Sequence, residues 1–317
     1  MVAGRRVPIL LYADDMVLLA NSARELCEMS RVVSIFARNN RFQLNGENSG
    51  VMIFNADKAA RQAAADIRWT LFGDRVKVTD KYKYLGTMTT TNINDWSAHM
   101  KYVIPNAEKR STDLLWICRQ DRGFRLRTAI VLWQAMVRPI LEYASEVWAG
   151  QISKTDAEAA ERVQMSFLRG TLGLHAKGSG VSDAVVRAET GCEQLSSRWN
   201  KLQLGYWRRV FMAPHDRLLR HFVEFRCRER DYVVRGVSNG GRGYGGWIRA
   251  VHANLLRHGL EHYYNHPRDA VNYPADWWKE EVAYKAVNET YDKLRADHMA
   301  GLSSAADYLM VKNWDLK

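Results

Sequence analysis

The stretch from residue 7 to residue 20, VPILLYADDMVLLA, constrains this chain more than any other. Two short apolar runs flank the adjacent carboxylates of Asp14 and Asp15. Each run is shorter than an ordinary helix, and length and flanks favour two strands. Strands separated by so few residues must turn back on each other, so the aspartates are expected at the tip of a tight hairpin. Two adjacent carboxylates repel each other and gain nothing from packing. A divalent cation such as Mg²⁺ removes that cost, because it prefers carboxylate oxygens and keeps several waters for substrate phosphates. The plain alternative is an exposed turn that holds two aspartates by chance.

The residues that follow alternate between helix and strand signals. Ser22-Ala23-Arg24-Glu25 fits a capping box, in which the serine hydroxyl accepts from the third helical N–H and Glu25 reaches back. Leu26, Met29, Val33 and Phe36 recur at helical spacing and predict a helix over 23–39. Short strands are expected over 42–45 and 51–54, around a polar turn at 46–50. Residues 59–66 read as a loop or short helix. A hairpin is expected from 67–72 and 75–79 around Gly73-Asp74, and another strand over 81–86, KYKYLG.

Past about Thr91 the period becomes helical. Helices are expected over 96–118 and 126–148, with Pro105 and Pro139 kinking or breaking them. From 155 onward the pattern stays helical, with breaks at 170–180, 239–246 and 266–274. Strands first and helices afterwards give an α+β region followed by an all-α region. The expected domains are residues 1–90, a helical region over 91–150 and a basic helical region over 151–317.

The order of motifs resembles a known family. LLYADDMVLLA is similar to the YxDD box of reverse transcriptases of non-LTR (LINE-type) retrotransposons. Phe42-Gln43-Leu44-Asn45, then Ser49 and Met52, fit the strand, turn and small residue that follow that box in the family. Tyr84-Leu85-Gly86 resembles its primer-grip strand. Pro139-Ile140-Leu141-Glu142-Tyr143 and Glu146-Val147-Trp148 resemble the helical segment beyond it. The resemblance covers residues 7–150 and fades by about Arg220. It implies a partial polymerase palm, a helical thumb, and RNA-directed DNA polymerisation by two-metal nucleotidyl transfer. Asp14 and Asp15 would hold Mg²⁺ (or Mn²⁺), Tyr12 would lie beneath the primer end, and Tyr84, Leu85 and Gly86 would hold the primer strand. The implied partners are an RNA template and a DNA primer or target, inside the cell in nucleus or cytoplasm. In that family a third catalytic carboxylate and the fingers lie upstream of the box, so this chain alone is expected to be inactive. Asn48 stands where the family has a lysine, and an amide cannot serve as a general acid. A hairpin without the palm strand that normally flanks it is expected to leave an open apolar edge.

Charge points to a second region. The 317 residues carry a net charge of +11, which favours a polyanionic partner. Between Arg198 and Arg249 lie 12 basic and 4 acidic residues, with aromatics interleaved. Basic groups neutralise phosphates and aromatics stack on bases, so Trp207, Arg208, Arg209, Arg217 and Arg220 are candidate nucleic-acid contacts. The competing reading is a solvated basic face over an aromatic core. A non-catalytic nucleic-acid-binding protein, or a decayed reading frame, thus stand beside the enzyme reading.

Other signals are thin. Residues 239–246, NGGRGYGG, lack the Lys-Ser/Thr of a phosphate loop and read as a flexible connector. His258, His262 and His266 have zinc spacing on one helix, but Pro267 ends the run and no fourth ligand stands out. Cys27, Cys118, Cys192 and Cys227 lie far apart and form no CxxC, which favours a reducing compartment. No apolar stretch is long enough to span a membrane, so no membrane partner is expected.

Overall fold

The 7–20 stretch forms β1 (Ile9–Tyr12) and β2 (Asp15–Leu18), paired antiparallel with Tyr12 opposite Asp15. The computed structural model describes residues 6–120, 124–174, 180–234 and 246–299. These fall into two compact units, Met1–Ala98 and His99–Lys317. The predicted connector at 239–246 lies almost wholly outside the described residues.

In the first unit, α1 (Ala23–Asn39) matches the expected helix. The Ser22 hydroxyl accepts from the Glu25 N–H at 3.2 Å. The Glu25 carboxylate takes the Asn21 N–H at 2.9 Å, one residue earlier than a reciprocal box requires, and also pairs with Arg6 at 2.9 Å. β3 (Gly50–Val51) follows, then α2 (Lys58–Ala65), whose cap is Asp57. β4 (Thr70–Leu71) and β5 (Asp74–Arg75) form a second hairpin. Its turn is Phe72-Gly73, one residue before the predicted pair; both residues have positive φ, +58° and +105°. β6 (Lys77–Val78) runs parallel to β3, and β7 (Lys81–Tyr84) pairs with β8 (Thr87–Thr90). Residues 42–45 are not a strand, because no neighbouring strand supplies a ladder for them.

The strand pairs of this unit remain separate two-stranded ladders. β1 and β2 pair only with each other among the described residues, so both outer edges of the hairpin are open. The core here is small. Ala37, Trp69 and Val76 are its buried apolar residues. The Trp69 indole donates to the Ala64 carbonyl at 2.8 Å, and the Phe72 N–H donates to the Ser34 hydroxyl at 3.1 Å, which ties the second hairpin to α1.

The second unit is helical. It comprises α3 (Ser97–Arg119), α4 (Leu126–Met136), α5 (Arg138–Glu142), α6 (Ser145–Trp148) and α7 (Lys154–Thr171). It continues with α8 (Asp183–Thr190), α9 (Leu195–Met212), α10 (Leu218–Val234) and α11 (Gly246–Arg257). The short α12 (His262–Asn265) and α13 (Pro267–Asn272) lead into α14 (Ala275–Met299). Pro105 sits inside unbroken α3, whereas the break before Pro139 separates α4 from α5. None of the described helices is long and apolar enough to cross a membrane.

α9 is the axis of this unit and packs against α6, α7, α10, α11, α13 and α14. Trp148 meets Trp199 edge-on at 4.9 Å, and Trp207 stacks on Tyr264 at 5.8 Å. The expected boundary near residue 150 does not divide the chain, since both sides belong to one unit. Gly150 shows why: its φ is +75°, and a Cβ there would lie 3.0 Å from the Ala250 Cβ. α6 and α11 meet at that glycine.

His99 is buried in this core, 5.9 Å from the Trp148 ring, and burial holds its imidazole below the ordinary histidine range. The folded ring therefore stays neutral where the unfolded one takes a proton. His99 contributes its full share of stability above the unfolded pKa of about 6.5, and that share is lost as pH falls below it. The loss is at most about 1.4 kcal/mol per pH unit for one proton. Denaturant titrations at pH 7.5 and 5.5 are expected to show a gap that narrows in His99→Leu, whatever that variant's absolute stability. An unchanged gap would assign the acid sensitivity elsewhere.

Candidate active site

The turn that joins β1 to β2 has two residues, Ala13 and Asp14, with Asp15 opening β2. Ala13 takes φ +51°, a left-handed conformation that costs a non-glycine residue about 1 kcal/mol or more. Tyr12 and Asp15 are directly opposed, so their side chains share one face of the ladder. Leu11 and Met16 lie on the other face. Tyr12 is 66% exposed, and Asp14 and Asp15 are exposed. Two carboxylates and a tyrosine thus project at the end of a short, strained hairpin.

The donor set fits one divalent ion. Mg²⁺ is commonly held by one or two carboxylates while waters and substrate phosphates complete its shell. No group of three or more metal-ligating side chains occurs among the described residues, so a second ion would need a further carboxylate.

Tyr84 ends β7 and Leu85-Gly86 form the turn into β8, so the strand expected over 81–86 stops at Tyr84 and the three residues make a hairpin tip. Leu85 and Gly86 both have positive φ, +44° and +79°, which suits a tight two-residue hairpin turn. The Thr87 hydroxyl donates to the Tyr84 carbonyl at 2.8 Å and closes that turn.

The 45–49 turn is held from two sides. The Asn48 N–H donates to the Asn45 side chain at 3.0 Å, and the Ser49 hydroxyl donates to the Asn45 carbonyl at 2.7 Å. The Tyr82 hydroxyl donates to the Asn48 carbonyl and so joins this turn to β7. A Cβ at Gly50 would meet the Tyr82 ring at 3.0 Å, so glycine makes room for the ring. Tyr82 was not singled out in the sequence. The signal was the alternation of KYKY, which places Tyr82 and Tyr84 on one face of β7.

In the helical unit, three of the five basic-region candidates turn inward. Trp207 is fully buried. The Arg208 guanidinium donates to the Ala270 carbonyl at 2.9 Å and the Tyr273 carbonyl at 2.6 Å, where α13 ends. Arg220 donates to the Phe211 and Ala213 carbonyls at 2.8 and 2.6 Å, at the end of α9. Both arginines satisfy carbonyls that a helix C-terminus leaves without partners. Trp207, Arg208 and Arg220 are therefore buried parts of the fold, the two arginines committed to helix ends. Arg209 and Arg217 remain exposed, with Arg209 set over the Tyr206 ring at 5.6 Å.

The three histidines do not converge. His258 is buried beyond the end of α11, while His262 opens α12 and pairs with Asp269 at 2.8 Å. His266 lies against His262, and the break between α11 and α12 removes the shared face that zinc spacing assumed. Comparison of the chain with known protein families, characterised proteins and solved structures found no match.

Proposed function

We propose that residues 6–98 are the catalytic-hairpin portion of a reverse-transcriptase palm of the non-LTR retrotransposon type, acting in RNA-directed nucleotidyl transfer. One observation carries this reading: Tyr12-Ala13-Asp14-Asp15 occupies the exposed tip of an antiparallel hairpin, with both carboxylates free to take a divalent ion. The ion would polarise a phosphoryl oxygen and activate a primer hydroxyl. The protein's own part is to present the two carboxylates and to place Tyr12 beside them on the Asp15 face. Tyr84, Leu85 and Gly86 form a second tip in the same unit, which this reading assigns to the primer strand.

The test is metal binding, read by loss of the free Mn²⁺ paramagnetic signal. The parent chain is expected to bind Mn²⁺ weakly, in competition with Mg²⁺. Asp14→Asn keeps the size and removes the charge, and is expected to weaken binding by about tenfold or more, the equivalent of about 1.4 kcal/mol. Equal binding by parent and variant would sink the metal role and the polymerase reading with it.

A second reading is favoured by the exposed arginines of the helical unit, Arg209 and Arg217 among them. On this reading that unit binds nucleic acid through its phosphates, with or without chemistry at the hairpin.

A further inference from the structure

We propose that the cleft between α10 and the α12–α13 segment binds the phosphodiester backbone of a nucleic acid, with Arg228 and Arg268 as its two phosphate contacts. This deepens the nucleic-acid reading of the helical unit and does not depend on the hairpin's chemistry. The cleft has a volume of about 570 Å³, and the described residues that line it include three arginines, Arg220, Arg228 and Arg268, and one carboxylate, Glu224. Arg220 is already committed. It holds the end of α9 and pairs with Glu224 at 2.9 Å, which offsets the one negative charge among the described residues that line the cleft.

Arg228 and Arg268 are left over. The Arg228 Nε donates to the Glu224 backbone carbonyl at 3.3 Å, which orients the guanidinium and leaves its outer N–H groups available. Arg268, on α13, is exposed and has no acidic partner among the described residues. Two guanidinium groups with no acidic partner among the described residues focus positive potential in a concave site, and their planar forks match phosphate oxygens.

The floor of the cleft decides what part of the nucleic acid is read. Its aromatic residues, Phe211 and Tyr264, are 6% and 5% exposed, and Tyr264 is already stacked on Trp207. Neither offers a face for a base. The cleft is therefore a backbone site, and its contacts carry no sequence preference. Arg268 lies within the 266–274 stretch that the sequence marked as a helix break, where α13 forms instead and its packing with α12 brings the arginine opposite α10.

The experiment uses the full chain and labelled single-stranded RNA oligonucleotides of two unrelated sequences, followed by fluorescence anisotropy over a salt series. Both oligonucleotides are expected to bind the parent alike. Arg228→Gln/Arg268→Gln is expected to flatten the slope of log affinity against log salt by about 1.4, at about 0.7 per lost phosphate contact on a single strand. Arg31→Gln/Arg61→Gln removes the same charge from exposed positions on α1 and α2 and is expected to leave the slope unchanged. Cys227 lines the cleft, whereas Cys27 is exposed on α1. Saturating RNA is expected to slow alkylation of Cys227 and not of Cys27.

Four results would each overturn the proposal: no binding of RNA by the parent, an unchanged slope in the cleft variant, no protection of Cys227, or binding to anionic phospholipid vesicles in place of RNA. The polymerase reading fails separately. Loss of the arginine effect with Mn²⁺ binding intact sinks the cleft alone, and the reverse pattern sinks the hairpin alone.

Discussion

Replacing Trp207 by alanine is expected to destabilise the helical unit by about 3–5 kcal/mol, the usual cost of emptying a large aromatic site in a core. Trp207 is fully buried, with Phe211 at 4.5 Å, Tyr264 at 5.8 Å and Trp247 at 6.1 Å between ring centres. These rings come from α9, α11 and α12, so the cavity would open where three helices meet. A domain typically has only about 5–15 kcal/mol in hand, so the change takes a large share of it. Trp207→Phe is expected to cost far less. The indole N–H is buried with no hydrogen-bond partner among the described residues, and phenylalanine removes that donor along with part of the volume. Denaturation of both variants, followed by far-ultraviolet circular dichroism, checks the order. Native stability in Trp207→Ala together with weakened RNA binding would mean that Trp207 stacks on bases and that its core role is wrong.

The contrast between Trp207 and Asp14 shows what can be read from this sequence. Asp14 and Asp15 were legible because a hairpin tip is a local event: two short apolar runs and a tight turn fix it without help from distant residues. The helix from Ala23 was legible for the same reason, through Ser22 and the spacing of Leu26, Met29 and Val33. Trp207, Arg208 and Arg220 were not. An arginine-rich helix with aromatics reads as one wet face and one dry face, but α9 is enclosed by six other helices and has little wet face. Arg208 and Arg220 are drawn inside by carbonyls at the ends of α13 and α9, and those ends reach them only after packing. Residues 42–45 fail for a related reason. Their pattern suits a strand, yet a strand needs a partner in register, and none of the described strands offers one. The bond from Tyr82 to the Asn48 carbonyl spans 34 residues and belongs to the same class of long-range event.

The other large effect is expected at Glu161. Its carboxylate sits on α7 and joins two further helices, pairing with Arg187 of α8 at 2.9 Å and accepting the N–H of Leu195, the first residue of α9, at 2.9 Å. The side chains of Arg187 and Glu161 are only 10% and 14% exposed, so water screens the pair little. Burial pushes the Glu161 carboxyl up, against the pull of Arg187 and of the Leu195 N–H. The ionised pair is therefore maintained at an appreciable desolvation cost, and a buried pair of this kind adds little net stability when intact. Breaking it is another matter. Glu161→Ala strands a guanidinium and a helix N-terminal N–H in the core, and is expected to cost about 3–5 kcal/mol. Glu161→Gln keeps an acceptor for the Leu195 N–H and is expected to cost less. The raised carboxyl also sets a pH sign opposite to that of His99. The folded state holds the proton more tightly than the unfolded one, so the Glu161 contribution is full below the unfolded pKa of about 4.3 and falls as pH rises through the folded value. The decisive variant is Glu161→Ala/Arg187→Met, which removes both charges and refills the volume. It is expected to recover most of the loss, because the damage in Glu161→Ala comes from the unpaired guanidinium. A double variant as unstable as Glu161→Ala would show instead that the carboxylate acts mainly through the first N–H of α9.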